Sequence, residues 1–405
     1  MESSHESLRR RERRAVIDAV PEAPSRSVAD LPTPGRISGR WRGNGTLIRR
    51  VPSAPTGRPE VTVLVPAYNY ARYLPACVQS VLSQEHVEVR VVIVDDCSTD
   101  DTPAVTARLG EADARVKVIR HEPNRGHIPS VNEGLEHVET KYLVKLDADD
   151  LLAPGSLARA AALLEAHPEV GFVYGRPGHF SGPEPQAAAT ATRSWTVWSG
   201  QRWLARRCQT ANNVISQPEV VMRTENVLRT GGVREDLPHT SDLHMWLQLA
   251  AGAEVGRING PIQGWYRVHA ASMQRTVHAG ELFGLQARRD AFAAALLTPS
   301  SPIARADELW GVVRRSLATE ALDRACHEFE RGRVDEDGEP IAGFVAFALD
   351  TWPDAASLEK WAMLERCRAI GLERARRHPL LFADAVRRRA TAEASMWRWR
   401  RTGET

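Results

Sequence analysis

From Val61 onward, short apolar runs rich in β-branched residues alternate with stretches of helical period, and that alternation leaves few architectures open. Residues 61–65 and 142–146 read as buried strands, and 89–94, 116–120 and 170–174 as further strands. Between the first two, Leu74, Val78, Val81 and Leu82 recur at helical spacing. Pro103 and Pro129 each suit the first turn of a following helix. Leu157, Ala161 and Leu164 mark another helix, which His167-Pro168 ends. Alternation of this kind predicts an α/β fold, with a mostly parallel, Rossmann-like sheet flanked by helices. After residue 281 the pattern is helical throughout, so a C-terminal α-helical region is expected. There Ala321, Ala325, Phe329 and Gly332, followed by Phe344, Phe347, Ala348 and Leu349, have the pattern of one antiparallel helix pair.

Residues 1–58 read as a flexible basic leader. Arg9-Arg10-Arg11-Glu12-Arg13-Arg14 opens it, and Pro, Ser, Gly and Arg dominate its remainder, leaving little apolar surface to bury. Residues 177–194 are rich in Pro, Gly, Ala, Ser and Thr and read as a flexible loop beside the site. Thr224 is placed to cap a short helix that Gly231-Gly232 ends. A helix starting at Thr240-Ser241-Asp242 carries Leu243, Trp246, Leu247 and Ala250 on its apolar stripe, and strands are expected at 254–258 and 262–268.

The net charge of +2 over 405 residues gives no general reason to expect nucleic acid as a partner. The five cysteines form no C-x-x-C pair, which argues against a zinc or dithiol motif and fits a reducing compartment. Residues 1–30 lack the apolar core of a signal peptide, and no run of about 18 apolar residues predicts a spanning helix. The expected location is cytoplasmic. The basic leader and the Met396-Trp397-Arg398-Trp399-Arg400-Arg401 tail leave open a weak peripheral contact with the inner face of a membrane, against a solubilising tail and a docked helix. Oligomeric state is not readable from the sequence.

The strand at 142–146 ends in Leu146-Asp147-Ala148-Asp149-Asp150. Carboxylates this close repel one another unless a cation shares them. Hard oxygen ligands suit Mg²⁺ or Mn²⁺, ions that bind readily together with phosphates. In an open α/β sheet, the C-terminal ends of the strands are where ligands bind. A metal–diphosphate site is therefore expected, against the alternative of a solvated acidic turn.

Four features stand in order along the chain: Val-Pro-Ala-Tyr-Asn at 65–69, Val-Asp-Asp-Cys-Ser-Thr-Asp at 94–100, Leu-Asp-Ala-Asp-Asp at 146–150 and Thr-Ser-Asp at 240–242. Together they resemble the family 2 glycosyltransferases, inverting enzymes of the A-type nucleotide-sugar fold, over roughly residues 60–275. The resemblance makes residues 59–280 the catalytic domain and 281–405 a helical appendage. It implies that Pro66, Ala67, Tyr68 and Asn69 hold the nucleotide base, that Asp96 accepts a uracil N–H, and that Asn124 and Gly126 flank the nucleotide. It places Asp147 near ribose and metal, makes Asp149 the principal metal ligand, and has His269 complete the metal shell or contact the pyrophosphate. Arg267 would pair with phosphate oxygens, and Asp242 would be the general base. The family usually has Glu-Asp where this chain has Ser241-Asp242, with His239 a candidate to compensate.

The expected activity is transfer of a hexose from a UDP-sugar to a hydroxyl or thiol acceptor on a glycan, natural product or peptide, assisted by Mn²⁺ or Mg²⁺. A catalytically inactive sugar-nucleotide or glycan-binding protein is the alternative from outside enzymology. A nucleotidyltransferase would want a Gly-rich basic loop after the first strand, and a dinucleotide oxidoreductase would want G-x-G-x-x-G there. Residues 65–69 provide neither.

Overall fold

The computed structural model describes residues 45–49, 51–52, 54–269, 280–298, 301–331, 339–371 and 379–402. In chain order its strands are β1 (Thr46–Ile48), β2 (Glu60–Ala67), β3 (Glu88–Asp95), β4 (Val116–Arg120), β5 (Tyr142–Lys145), β6 (Leu151–Leu152), β7 (Val170–Tyr174), β8 (Pro177–Phe180), β9 (Ser194–Trp198), β10 (Val221–Arg223), β11 (Glu254–Asn259) and β12 (Gly264–Arg267). At the centre lies a nine-stranded sheet in the order β1-β9-β11-β7-β10-β5-β2-β3-β4. A three-stranded sheet joins β6, β12 and β8.

Strands β5, β2, β3 and β4 are all parallel. They are also among the most apolar. In β2 every residue after Glu60 is buried, and all but Pro66 are valine, leucine, threonine or alanine. A strand buried on both faces needs such a composition. Beyond β5 the sheet is mixed, because β10 runs antiparallel to both β5 and β7, and β9 antiparallel to β11. Helices α1 (Leu74–Leu82), α2 (Thr102–Ala112), α3 (His127–Glu136) and α4 (Ser156–Ala166) connect the strands as the alternation predicts. Pro103 and Pro129 lie in first turns, where a missing N–H costs no helical bond.

Helices α5 (Gly200–Thr210), α6 (Thr224–Arg229) and α7 (Ser241–Gly252) complete the α/β part. After them come α8 (Glu281–Leu296), α9 (Ala306–Arg331), α10 (Glu339–Thr351), α11 (Glu359–Ile370) and α12 (Pro379–Thr402). The expected pair is α9 packed on α10, although Leu349 faces out at 42% exposure and Gly332 lies outside the described residues.

Two cores sandwich the sheet. One joins Val61, Val63, Leu74, Ile93, Leu157, Leu163 and Ile258. The other runs from Leu64 and Phe172 through Trp246 to Phe292, Trp310, Leu322 and Cys367. Trp246 is core, as its place in the apolar stripe implies. Helices α8 to α11 thus share a core with α7 and the sheet.

Three local readings change. Thr46–Ile48, within the expected leader, pairs antiparallel with β9 as the sheet's edge strand. The expected loop at 177–194 begins and ends in strands, since Pro177–Phe180 runs beside β12 and Ser194 opens β9. Thr224 is the first residue of α6 rather than its cap; Arg223 precedes it, with its guanidinium bonded to the carbonyls of Val170, Leu164 and His167.

Candidate active site

The C-terminal ends of β2, β3 and β5 bring the expected motifs to one edge. Pro66 and Ala67 are not part of the turn, as they finish β2 and are buried. Pro66 is tolerated because the ladder with β5 has already ended at Leu64, so its missing N–H leaves no partner unmet on that side. The turn itself is Tyr68-Asn69, with Tyr68 45% exposed and Asn69 left-handed at φ 61°. Asn69 accepts the Thr99 N–H at 2.8 Å through Oδ1, and its own N–H donates to Ser98 Oγ at 2.9 Å. Its side chain therefore braces the turn at 98–100, leaving Tyr68 as the exposed side chain.

Asp96 is buried and gathers the Asn124–Gly126 loop around it. It accepts the Arg125 N–H at 2.7 Å, the Gly126 N–H at 2.8 Å and His121 Nδ1 at 2.7 Å. Asn124 Nδ2 donates to the Asp96 carbonyl at 3.0 Å. Gly126, at φ 94°, takes a conformation that disfavours other residues. A carboxylate has about four acceptor sites, and three donors leave Oδ2 able to take one more. His121 also reaches Glu133 through Nε2 at 3.1 Å, and Arg125 pairs with Glu133 at 2.6 Å.

The carboxylates after β5 divide the labour. Lys145 Nζ sits 2.6 Å from Asp147. Burial works to raise Asp147, and Lys145 prevails, holding it below the usual carboxylate range. Asp149 is pushed up by burial and by Asp147, against a 2.8 Å contact with His269 Nε2. Asp150 is pushed well up by burial, then by Asp147 and Asp149. Its Oδ1 accepts the Arg267 N–H at 2.8 Å, while Oδ2 is buried without a partner. His127, at the start of α3, is lowered to about 4 by burial and Lys145.

Asp149 and His269 lie as close as two adjacent ligands of one ion with bonds of about 2.1 Å would, so this donor pair fits a divalent cation. Asp147, expected beside them, is turned instead to Lys145. Among the described residues no group of three or more His, Cys, Asp and Glu forms a complete ion site.

The Arg267 guanidinium is buried over Phe180 (4.3 Å) and Tyr73 (4.8 Å), and donates to the carbonyls of Asp149 and Gly182 at 2.8 Å each. It thereby braces the carboxylate turn.

Asp242 stands in the first turn of α7, within reach of the fields of Lys145 and Asp147. Burial raises it; the Leu243 N–H at 2.7 Å, Lys145 and Asn213 Nδ2 at 2.8 Å oppose that. His239 packs edge-on to Phe283 with ring centroids 4.5 Å apart, away from the role foreseen for it. Sequence reasoning missed Lys145, His121 and Asn213. Only the Lys inside an otherwise apolar strand was a visible signal.

The sheet order and the edge occupied by these carboxylates define an A-type nucleotide-sugar fold. S. aureus TarS 1–349, solved with UDP-GlcNAc, shares it with a TM-score of 0.54 at 18% identity, over 78% of this chain and 89% of that one. Residues 62–224 match the family model described as glycosyl transferase family 2, and the chain carries a domain of that family. Succinoglycan biosynthesis protein ExoO of Rhizobium meliloti (strain 1021) is 42% identical over 101 residues, 25% of this chain and 28% of that protein. Putative teichuronic acid biosynthesis glycosyltransferase TuaG of Bacillus subtilis (strain 168) is 39% identical over 93 residues, 23% of this chain and 37% of that one. The chain thus spans well under half the length of these two curated relatives.

Proposed function

We propose that the protein is an inverting glycosyltransferase that moves a hexose from a UDP-sugar to a hydroxyl or thiol acceptor. The observation that carries this reading is the placement of Asp242, in the first turn of a helix some 95 residues further on, within the fields of Lys145 and Asp147. One carboxylate then stands ready to take the acceptor proton, and a separate group of carboxylates and a cation handles the departing diphosphate. Asp149 and His269 would hold Mn²⁺ or Mg²⁺, which when bound supplies Lewis-acid stabilisation to the leaving group. Lys145 sets the charge of Asp147, and Asp96 holds the Asn124–Gly126 loop with an acceptor site left for the base. The positive end of α7 favours ionised Asp242, as a base requires.

The relatives named for succinoglycan and teichuronic acid biosynthesis support a glycan acceptor. Among the described residues no helix is long and apolar enough to cross a membrane. Exposed Val386, Met396 and Trp397 on arginine-bearing α12 support a peripheral contact with an anionic surface.

Calorimetric titration of UDP with and without Mn²⁺ tests the site. Metal-dependent binding that disappears in Asp149→Ala is expected. Absence of binding for UDP, GDP and dTDP alike would make the Asp147–Asp150 turn structural. Retained UDP affinity with no UDP release from a UDP-sugar over a broad acceptor panel would favour a binding protein instead.

A further inference from the structure

The C-terminal helices reach the surroundings of the candidate base at two places, the loop at 211–213 and Thr240. We infer that Asn213 is a positioning residue that orients the Asp242 carboxylate, and that α8 and α9 hold it in place; the inference rests on the reading of Asp242 as the base.

The Asn213 amide has its orientation set by its neighbours. Its Oδ1 accepts the Ile215 N–H at 3.1 Å, so Nδ2 is the end that faces Asp242 Oδ2 at 2.8 Å. On the other oxygen, Oδ1, Asp242 accepts the Leu243 N–H at 2.7 Å. Each carboxylate oxygen therefore has one fixed donor, which sets the plane of the group and leaves each oxygen capacity for an incoming proton. In the resembled family an acid precedes the base. Here Ser241 stands in that position, and a neutral donor faces the carboxylate from a different segment. A donor favours the ionised form, which a second carboxylate would not.

The loop has no regular structure to hold it, and the helices do so instead. Ala211 ends α5 in the left-handed region at φ 49°. From α8, Arg288 donates to the Ala211 carbonyl at 2.9 Å and to the Asn212 side chain. The same guanidinium pairs in two-pronged fashion with Glu320 of α9, at 3.0 and 2.9 Å. Ser316 of α9 donates to the Gln209 carbonyl at 2.9 Å. Thr240, which caps the base's helix, donates to the Ala287 carbonyl of α8 at 3.0 Å. One helix, α8, is thus bonded both to the loop bearing Asn213 and to the residue before α7, and it fixes their separation. The charged groups acting on Asp242 are Lys145 on β5 and Asp147 in the turn after it.

The test titrates Asp242 directly. Carboxyl-¹³C aspartate is incorporated into the full chain, and the Asp242 signal is identified by its loss in Asp242→Asn. The titration midpoint should rise by about one pH unit in Asn213→Ala, the equivalent of one charge-assisted hydrogen bond. It should rise further in Asn213→Asp, where two carboxylates face each other. Arg288→Leu, which touches Asp242 nowhere, should move it in the same direction. Asn213 is exposed, so its variants should fold. The acid limb of UDP release from UDP-glucose should move with the midpoint, whereas a merely structural change would lower the rate at every pH. An unmoved midpoint with Asp242-dependent UDP release overturns this inference alone. Release that is undiminished in Asp242→Asn overturns the base assignment and the positioning role with it.

Discussion

Glu219 offers a quantitative check on how the site is supported. It lies in the single helical turn Gln217–Glu219, 2% exposed, with Oε1 accepting the Ser216 N–H at 2.9 Å and Oε2 buried without a partner. Burial raises its carboxyl from 4.5 to about 8, against the Ser216 N–H and the field of Arg257. Between those limits the folded chain binds one proton more than the unfolded chain, so stability falls as pH rises. Each pH unit in that window removes about 1.4 kcal/mol. The ceiling is on the order of 4–5 kcal/mol, and relaxation around a buried charge brings the expected loss to about 2–4 kcal/mol. Glu219→Gln cannot ionise, so it should lose that slope whatever constant offset it adds. Urea unfolding of both proteins at pH 5, 6.5 and 8 gives the comparison. Their stability difference should shift in the variant's favour by at least about 2 kcal/mol from pH 5 to pH 8. Parallel profiles would refute the assignment of a buried, protonated carboxyl. The stake is functional, because Gln217 beside it donates to the Lys145 carbonyl at 3.2 Å. A Cβ on Gly264 of β12 would meet the Pro218 carbonyl at 2.1 Å. Charging Glu219 would loosen the turn between the two strands that carry the site.

Two further outcomes are expected. His121→Leu removes one of the three donors on Asp96, and UDP affinity measured by calorimetry should fall about tenfold, the loss of about 1.4 kcal/mol, with far-ultraviolet circular dichroism unchanged. The full chain should float with vesicles containing phosphatidylglycerol at low salt and be released as salt rises, less so for neutral vesicles. Failure to float at any salt would remove the peripheral contact.

The sequence showed the parallel half of the sheet almost residue by residue. The central strand β2, buried on both faces, is written almost wholly in apolar and β-branched residues, and the expected limits of β4, at the half-exposed sheet edge, and of β7, in its mixed part, match the structure. The strands it hid are short or oddly composed. Thr46–Ile48, Leu151–Leu152 and Val221–Arg223 have two or three residues each, and Pro177–Phe180 opens with Pro-Gly. Their conformation comes from partners far along the chain, not from local preference. The site divides the same way. Asp147, Asp149, Asp96 and Asp242 were legible because each follows a strand or starts a helix. Asn213 was not, since its meaning depends on a carboxylate 29 residues away. The contacts of Arg267 were hidden for the same reason: only the folded chain shows Phe180 and Tyr73 closing over it.

The two cores flanking the sheet have different reach along the chain, and this bears on the order in which the protein can be made. Among the described residues, the core containing Val61 and Leu157 draws on nothing beyond Ile258. The core on the other side includes Leu243 and Trp246 of α7 together with residues as late as Cys367. On a ribosome, the face bearing β2 and α4 has all its material long before the face that seats α7. The carboxylates of the 147–150 turn can therefore settle once Arg267 and His269 have emerged, whereas Asp242 gains its final surroundings only with the last core helices. A nascent chain would complete the carboxylate turn first and the surroundings of Asp242 last.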